Sequence, residues 1–445
     1  MSKSVREGPS DIYRSFQRVL VAQNRTNAAL EVAEQGRAHT FAKLLSTRLA
    51  IDIPNQPASA PPGIDRIAKI ARSLPATLVS YSLLYDDNRS HWLGRLSFGR
   101  EQPYIHASIL YIWAIQPTGE IGFRSVDLRQ LWQTQRLSLA GLVHGTRDCL
   151  NSSENCASGS PEAYLEQLYR FLIEPIADLL PEHPQDKLIV IPQDFLFLVP
   201  FAALKQPSGE FVLDRHPLAI APSIQALELF ADRDVADSRT DKMLAVGNPT
   251  MVKIRPNFGE PPQQLPDLPQ SQQEAEAIAK LFDTQAMTGD RATKAEILAK
   301  MPEARWIHLA THGFLSDVEG IPCAIALAPA GSQESGLLTA RELFGLRLSA
   351  ELAVLSGCDT GKGDLWGDGV VGLIRGFMAA GVPNVMLSLW SIQSEATTGL
   401  MLEFYRQLRQ HGDRARALRA AMLATREQFP HPRDWAAFAL SEAKQ

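Results

Sequence analysis

The hydrophobic residues in the second half of the chain fall into short runs that end near a glycine. One run, at 305–310, is followed by His312 and a glycine, and another, at 351–356, is followed by a glycine and Cys358. Both runs are rich in branched side chains, which is typical of a buried strand in a parallel sheet. Ligands and catalytic groups of parallel sheets lie just beyond the carboxyl ends of the strands. The pattern therefore predicts that His312 and Cys358 each lie at the end of a strand.

These runs alternate with segments that have the 3.6-residue period of helices. Two more strands are expected at 243–249 and 384–390. The helices predicted around them are at 271–282, 293–301, 368–380 and 395–410. Asp290 or Thr293 is expected to cap the second of these helices. The alternation predicts an α/β fold with right-handed crossovers and a mostly parallel sheet between helices.

The first half of the chain is predicted to begin with two helices within 11–48, joined by a turn at Asn24. A single helical pair cannot bury its own face, so it either packs on the rest of the chain or caps a partner. Residues 51–63 are rich in proline and form a predicted linker. The elements expected after the linker are a helix at 64–74, strands at 76–85, 106–116 and 121–126, a helix at 161–180, a strand at 187–191 and an extended run at 195–204. Turn residues at 117–120 make the second and third strands a hairpin.

Composition limits the classes of protein that fit. The 445 residues, 45% of them hydrophobic, are ordinary for a globular protein of two or three domains. A net charge of −5 without a run of lysine or arginine argues against nucleic acid as a partner. The N-terminus lacks the apolar core of a signal peptide. Arg375 and Pro383 interrupt the apolar region at 369–390, which favours a helix followed by a strand over a membrane span.

The cysteines indicate a reducing environment. Four of them are too few for a disulfide scaffold, and they lack the spacing of a metal site. We therefore expect a reduced, cytoplasmic protein with no membrane partner. His144 and Cys149 lie within one helical pattern and are interpreted as structural, and Cys323 is predicted to be a core residue.

His312 and Cys358 have complementary chemistry. A thiolate is the nucleophile of cysteine enzymes, and a neighbouring imidazole raises its population near neutral pH. The backbone N–H groups of Gly313 and Cys358 are candidates for an oxyanion hole, because a glycine neighbour lets a carbonyl approach the backbone. The alternatives are a hydrogen-bonding histidine at a strand end and a cysteine that acts as a small buried hydrophobe. His308, inside its strand, is predicted to be buried and hydrogen-bonded.

A glycine-rich loop at 361–369 has two interpretations. Such loops before helices can bind anions, or the loop can border the active site and move on activation. It lacks the Gly-x4-Gly-Lys-Ser/Thr pattern and carries two aspartates, which favours the second interpretation. Asp368 is then a candidate cap for the helix that follows.

Several stretches resemble CHAT-domain proteins, the bacterial relatives of caspases and separases in one clan of cysteine peptidases. The stretches are Ala310-Thr-His-Gly313, Gly336-Leu-Leu-Thr-Ala-Arg-Glu342, Leu355-Ser-Gly-Cys-Asp-Thr-Gly361, Gly367-Asp-Gly-Val-Val-Gly-Leu373, Ser388-Leu-Trp390 and Trp435-Ala-Ala-Phe438. A cysteine with a histidine roughly 50 residues upstream is also the caspase arrangement. The resemblance covers about the last 280 residues. The helical pair at 1–50 resembles a tetratricopeptide unit, which this family often carries.

The resemblance implies both a fold and an activity. Residues 240–445 would form a caspase-like sandwich, and 64–230 a supporting, inactive protease-like region. The implied activity is a cysteine endopeptidase that cleaves a protein or peptide and uses no metal or organic cofactor. Such proteases are usually held inactive until a partner or a cleavage orders their loops. The N-terminal helices are therefore the predicted place for a protein activator.

The resemblance also implies a pocket for the substrate residue that precedes the scissile bond. Its expected lining is Asn248 at the end of the first strand, Ser356, and the segment that contains Trp390 and Ser394. Many relatives have an aspartate where Ser394 stands, and that carboxylate pairs with a basic substrate residue. Its loss weakens the expectation of an arginine preference. A non-catalytic binding module and a small-molecule amidase or thioesterase are the alternative functions.

Overall fold

The computed structural model describes residues 9–49, 61–85, 107–151, 156, 160–231, 242–255, 261–314, 323–331, 335–357, 367–390 and 395–443. Side chains within 9–11, 38–49 and 367–371 are not included in that description. Most of the predicted linker and glycine-rich loop, together with Cys358 and Ser394, lies outside the described residues.

One large sheet runs through both halves of the chain. Its strands are β1 (Ala76–Tyr85), β2 (Ala107–Ile115), β3 (Ile121–Asp127), β4 (Lys187–Ile191), β5 (Leu218–Ile220), β6 (Met243–Pro249), β9 (Met287–Gly289), β10 (Trp306–Ala310), β14 (Leu352–Ser356), β15 (Asn384–Ser388) and β16 (Phe438–Glu442). Among the described residues these eleven strands lie in the order β3-β2-β1-β4-β5-β16-β15-β14-β10-β6-β9. The smaller strands are β7 (Lys253–Ile254), β8 (Gln263–Gln264), β11 (Gly313–Phe314), β12 (Ala324–Ala326) and β13 (Leu337–Thr339).

The helices of the described residues connect and cover these strands. They are α1 (Pro9–Ala22), α2 (Thr26–Leu49), α3 (Ile64–Ser73), α4 (Arg129–Gln135), α5 (Leu139–Asn151), α6 (Pro161–Leu172), α7 (Val212–Arg215), α8 (Ile224–Ala231), α9 (Pro269–Leu281), α10 (Lys294–Lys300), α11 (Ala340–Leu343), α12 (Gly367–Ala380), α13 (Glu395–His411), α14 (Arg414–Gln428) and α15 (Pro432–Trp435). Thr293 caps α10 by accepting a hydrogen bond from the backbone N–H of Glu296. The predicted α/β fold with a mostly parallel sheet between helices is confirmed.

The sheet is mostly parallel, with three antiparallel pairs. From β9 through β6, β10 and β14 to β15, every neighbouring pair is parallel. On the other side of the sheet β1, β4, β5 and β16 are also parallel to one another. The antiparallel pairs are the predicted hairpin of β2 and β3, the pair β1 and β2, and the junction of β15 with β16. The side chains of β4, β10, β14 and β15 are buried along their whole lengths, which explains the continuous hydrophobic runs in the sequence.

The last strand of the chain joins the two halves of the sheet. β16 pairs with β15 on one side and with β5 on the other. At this junction Lys187 of β4 forms an ion pair with Glu442 of β16, with an Nζ to Oε2 distance of 2.9 Å. Burial raises the pKa of Glu442, although the charges of Lys187 and Arg414 oppose that shift. The pair therefore joins the halves through charges that are almost wholly removed from water.

The N-terminal helical pair packs on the rest of the chain through one side. Glu34 of α2 is fully buried and accepts a hydrogen bond from the N–H of Ile224, where α8 begins. The indole Nε1 of Trp113 donates to the carbonyl of Thr26 at 3.0 Å. The opposite side of α1 leaves an apolar stripe in solvent: Ile12, Phe16 and Val19 are 59%, 51% and 51% exposed.

Two of the predicted elements are wrong. The helix predicted at 161–180 ends at Leu172, and a 3-10 helix at Glu174–Leu179 follows. Pro175 explains the break, because proline has no N–H to donate and its ring clashes with the preceding helical turn. The extended run predicted at 195–204 forms two 3-10 helices, Asp194–Leu198 and Phe201–Ala203. Its apolar residues are buried on every side, so they show no period that would separate a strand from a turn.

The expectation of fully reduced cysteines is also wrong. Cys149, near the end of α5, forms a disulfide with Cys156. The connectivity of cysteines cannot be deduced from their spacing, so the sequence contained no signal for this bond. Cys323, predicted to be a core residue, is half-buried. Within the described part of the chain, no helix has the length and hydropathy needed to span a membrane.

Asp214 of α7 connects the two halves at the surface. Its carboxylate accepts a hydrogen bond from Arg426, and its carbonyl accepts one from Arg419, both of α14. Burial would raise the pKa of Asp214, but the hydrogen bonds from Arg426 and the Phe211 amide, together with the arginine charges, outweigh burial and lower it. A lowered pKa in the folded state stabilises the fold above the pKa of the unfolded chain, and that stabilisation is lost as the pH falls through the folded pKa.

We expect Asp214→Asn to lower the free energy of unfolding by about 1 to 2 kcal/mol at pH 7. The difference from the wild type should shrink as the pH falls below the ordinary aspartate value of 3.8. Urea denaturation at pH 7 and in acid measures both effects. Asp178→Asn is the control, because its partner Arg124 is exposed and the loss should stay within about 0.5 kcal/mol. A difference that grows in acid would contradict the account.

Candidate active site

The candidate site lies at one edge of the large sheet, where four parallel strands end. β6, β10, β14 and β15 are neighbours and run in the same direction, so their carboxyl ends meet at this edge. In the register of β10 and β14, Ala310 is opposite Ser356. His312 follows Ala310 by two residues, and Cys358 follows Ser356 by two residues. The predicted base and the predicted nucleophile therefore occupy equivalent positions in the sequence. Each is two residues after the last paired residue of its strand, and the two strands are neighbours.

His312 is held by a backbone carbonyl from the segment before α9. The ring is buried, with 2% exposure, and its Nε2 lies 2.8 Å from the carbonyl oxygen of Pro266. A carbonyl only accepts hydrogen bonds, so this contact assigns a proton to Nε2. In the neutral ring Nδ1 is then the nitrogen with an available lone pair. The contact selects the tautomer in which Nδ1 carries no proton.

The backbone on each side of His312 is fixed by neighbouring strands. The N–H of Thr311 donates to the carbonyl of Ser356 at 3.0 Å, which extends the pairing of β10 and β14. The Thr311 hydroxyl donates to the carbonyl of Ala326 at 2.8 Å, and the N–H of Ala326 donates to the carbonyl of His312 at 2.9 Å. Gly313 begins β11 and pairs with Ile325 of β12. Its predicted role in an oxyanion hole stays a prediction.

Gly357, the residue before Cys358, has a conformation that only glycine adopts readily. Its φ angle is +100°. A Cβ atom at this position would lie 3.1 Å from the carbonyl oxygen of Thr311. Both the backbone angle and the close approach to the histidine strand therefore require glycine here.

His308 has the structural role that was predicted for it. It is fully buried in β10, with Nε2 3.0 Å from Glu274 Oε1 and Nδ1 3.1 Å from the hydroxyl of Tyr405. Burial, followed by the charge of Glu274, raises the pKa of Tyr405, so its hydroxyl keeps its proton. A neutral ring with its proton on Nε2 donates to Glu274 and accepts from Tyr405. The three groups tie β10 to α9 and α13.

The described members of the predicted pocket lie at the same edge, but most of their polar groups make internal hydrogen bonds. Asn248 has a φ of +45°, and its Oδ1 accepts from the N–H of Leu268 at 2.7 Å. Trp390 is 1% exposed, and its Nε1 donates to the carbonyl of Arg433 at 3.0 Å. Ser356 is buried at the end of β14. Contact of these residues with a substrate stays a prediction, and Ser394 lies outside the described residues.

Two residues that matter to the geometry were not found from the sequence. Pro266 lies outside the helices and strands predicted from the sequence, and a main-chain carbonyl leaves no signature in the side chains. Arg147 of α5 is buried, and its guanidinium donates to the carbonyl of Leu389, beside Trp390. An arginine in a helical pattern has no signal that would connect it to a residue 242 positions away.

Comparison with known proteins identifies the family. The model of the CHAT domain matches residues 162–443. Tetratricopeptide repeat protein 28 of mouse is 26% identical over an alignment of 554 residues, and the human protein is 25% identical over 549 residues. Each alignment covers 96% of this chain and 22% of the relative, so the chain spans about a fifth of those proteins.

The fold is similar to that of a solved separase. In the crystal structure of the Saccharomyces cerevisiae separase–securin complex, the match has a TM-score of 0.52 and 11% sequence identity. It covers 97% of this chain and 36% of the other. At this identity the likeness concerns the fold alone, and it extends over both halves of the sheet. The family model matches more than half of the chain, so this chain belongs to the CHAT-domain family.

Proposed function

We propose that this protein is a cysteine endopeptidase in which Cys358 is the nucleophile and His312 the general base. The observation that carries the proposal is the register of β10 and β14, in which Ala310 is opposite Ser356. Equivalent positions beyond adjacent parallel strands are close in space, and here they belong to a histidine and a cysteine. Membership of the CHAT family supports the same assignment, because its relatives in the clan are cysteine peptidases.

The proposed reaction follows from the tautomer of His312. Nδ1 takes the proton of the Cys358 thiol, and the thiolate attacks the scissile carbonyl carbon. The N–H groups of Gly313 and Cys358 hold the oxyanion that forms. The protonated Nδ1 then gives its proton to the amine, and the carbon–nitrogen bond breaks. The acyl group stays on Cys358 as a thioester. Water, deprotonated by the same nitrogen, attacks the thioester, and the acid product and the thiol are released.

The Pro266 carbonyl supports this mechanism in two ways. It fixes the ring of His312 in one orientation, and it accepts the Nε2 proton in both the neutral and the protonated state of the ring. A positive imidazolium next to a carbonyl oxygen forms a charge-assisted hydrogen bond, which is stronger than the neutral one. The contact therefore stabilises the ring most when it carries the proton taken from the thiol.

The pocket for the residue before the scissile bond is proposed to lack a charge-based preference for arginine. Ser394 has no carboxylate to pair with a guanidinium. The side-chain oxygen of Asn248 already accepts the N–H of Leu268, and the indole N–H of Trp390 is already donated to Arg433. Selection would then depend on shape and on backbone groups at this edge of the sheet.

The rival function is a binding scaffold that holds a peptide without cleaving it. The serine at position 394 and the low exposure of His312, 2%, favour this rival. A catalytic site and a scaffold differ in one property that can be measured. Only a working pair converts an electrophilic peptide into a thioether on Cys358 in a reaction that depends on His312.

We further propose that α1 is the contact surface for a regulatory helical partner. Ile12, Phe16 and Val19 form one exposed stripe on its outer side. The spacing of four and three residues places them on one face of the helix. The relatives named tetratricopeptide repeat protein 28 are several times longer than this chain, which supports a further helical repeat as the partner. Stacking of such repeats buries the apolar face that a single pair leaves open.

The dyad is tested by covalent labelling with peptidyl acyloxymethyl ketones that carry arginine, leucine, alanine or aspartate next to the reactive group. We expect one adduct per chain by intact mass, absent in Cys358→Ala. His312→Gln should slow labelling by about 100-fold or more, because the amide can still donate to Pro266 but cannot act as the base. Cys323→Ala is the matched control and should label normally. If iodoacetamide modifies Cys358 and no peptide probe does, the peptidase proposal is wrong and the scaffold is favoured.

The requirement for glycine before the nucleophile is tested by Gly357→Ala. The new Cβ would lie 3.1 Å from the Thr311 carbonyl at a φ of +100°, so we expect a loss of about 1 to 3 kcal/mol in unfolding free energy. Probe labelling of Cys358 should slow as well, because Gly357 directly precedes the nucleophile in the sequence. Gly399→Ala in α13 is the control, since its Cβ meets nothing within 4 Å and a helical alanine is favourable. Unchanged stability and labelling of Gly357→Ala would refute this role.

A further inference from the structure

Arg147 of α5 makes an unusual contact with the segment that follows β15. Its side chain is buried, with 6% of the residue exposed, and its Nε and Nη2 donate to the carbonyl of Leu389 at 3.1 and 2.7 Å. A buried guanidinium requires compensating hydrogen bonds, and two donors on one carbonyl hold that carbonyl in a fixed direction. Leu389 and Trp390 directly follow β15 at the edge where the candidate site lies.

The same segment has a second connection to α5. The indole of Trp390 donates to the carbonyl of Arg433, and Nη2 of Arg433 donates to the carbonyl of Asn151 at 3.3 Å. Arg147 and Asn151 are four residues apart, so they lie on the same face of α5. The N–H of Leu389 also donates to the carbonyl of Ala437 at 2.7 Å. The turn after β15 is thus held between the last turn of α5 and the segment from Arg433 to Ala437.

The disulfide lies within this arrangement. Cys149 is located between Arg147 and Asn151 in the sequence of α5 and is 2% exposed. Its partner Cys156 is half-buried and lies in the connection to α6. The bond ties the last turn of α5, which carries both contacts, to the chain that leaves it. Because a disulfide restricts the motions of the chain it closes, it restricts fraying of this turn.

We propose that Arg147 is a positioning residue for the turn at Leu389 and Trp390, and that the Cys149–Cys156 disulfide controls how firmly it holds that turn. This proposal rests on the proposed function, in which the turn borders the substrate pocket. Reduction by a dithiol breaks the S–S bond: the dithiol supplies two electrons and two protons, two thiols form, and the dithiol becomes a disulfide. The supporting half of the chain would thereby adjust substrate selection in the other half according to the redox state.

The primary test is amide hydrogen exchange in the peptide that contains residues 384–390, measured in a Cys358→Ala background so that the nucleophile does not contribute. We expect dithiothreitol to raise the amide exchange rate at Leu389 and Trp390 by about threefold or more, because loss of the disulfide would allow this segment to open locally. Arg147→Lys, which replaces a planar fork with one ammonium group, should raise it without any reductant. Exchange in β1 should stay unchanged in both cases, which excludes global unfolding.

Two cysteine variants make the redox assignment specific. Cys156→Ala should have the raised exchange from the start and should not respond to dithiothreitol. Cys323→Ala keeps the disulfide and should respond like the parent protein. If dithiothreitol changes exchange equally in Cys156→Ala, the redox control is wrong. If Arg147→Lys exchanges like the parent protein, the positioning role is wrong.

The functional readout is the ratio of labelling rates for the leucine and arginine probes with Cys358 restored. Arg147→Lys and Cys156→Ala should change this ratio by about threefold or more while thermal unfolding shifts little, because a pocket wall has moved. A uniform loss with all probes would indicate a merely structural residue and would overturn the proposal. If no probe labels any variant but exchange responds as expected, the peptidase function fails while the positioning of this turn stands.

Discussion

The structure depends on the parallel pairing of β10 with β14. In this pairing Ala310 lies opposite Ser356, and the Thr311 amide extends the ladder by donating to the Ser356 carbonyl at 3.0 Å. A slip of one residue would turn every side chain of one strand to the other face of the sheet, and His308 would lose its buried partners Glu274 and Tyr405. These buried polar contacts constrain the register, and the register fixes which residues leave the two strands side by side. The chemistry proposed for His312 and Cys358 follows from a packing constraint.

The second half of the chain does not hold its site alone. β16 closes the gap between β15 and β5, so both halves share one sheet. Arg147 reaches from α5 to the carbonyl of Leu389, and Arg419 reaches from α14 to the carbonyls of Leu213 and Asp214. In each of these contacts a charged arginine donates to a main-chain carbonyl. Such a contact holds the backbone of the accepting residue in place and does not depend on which side chain that residue carries. Under the proposed redox role of α5, such contacts would carry changes from the first half of the chain to the edge where the strands end.

The sequence predicted those parts of the molecule that leave local patterns. β10 and β14 were found within one residue of their observed limits, because a fully buried strand is a short, continuous apolar run. The buried, hydrogen-bonded role of His308 was predicted from its place inside the strand. The insertion of β16 between β15 and β5 was not predicted, since long-range pairing leaves no local trace. The Pro266 carbonyl and the bond between Cys149 and Cys156 were missed because both depend on which segments meet in space.

The pairing of His312 with Cys358 can be measured through the pH dependence of alkylation of Cys358 by iodoacetamide in a Cys323→Ala background, followed by intact mass. A thiol paired with His312 should react with an apparent pKa clearly below about 8.5, the value of a free cysteine. In His312→Gln the apparent pKa should return to that value or rise above it. A wild-type profile identical to that of His312→Gln would mean that the two residues do not act together, and the proposed mechanism would have to be abandoned.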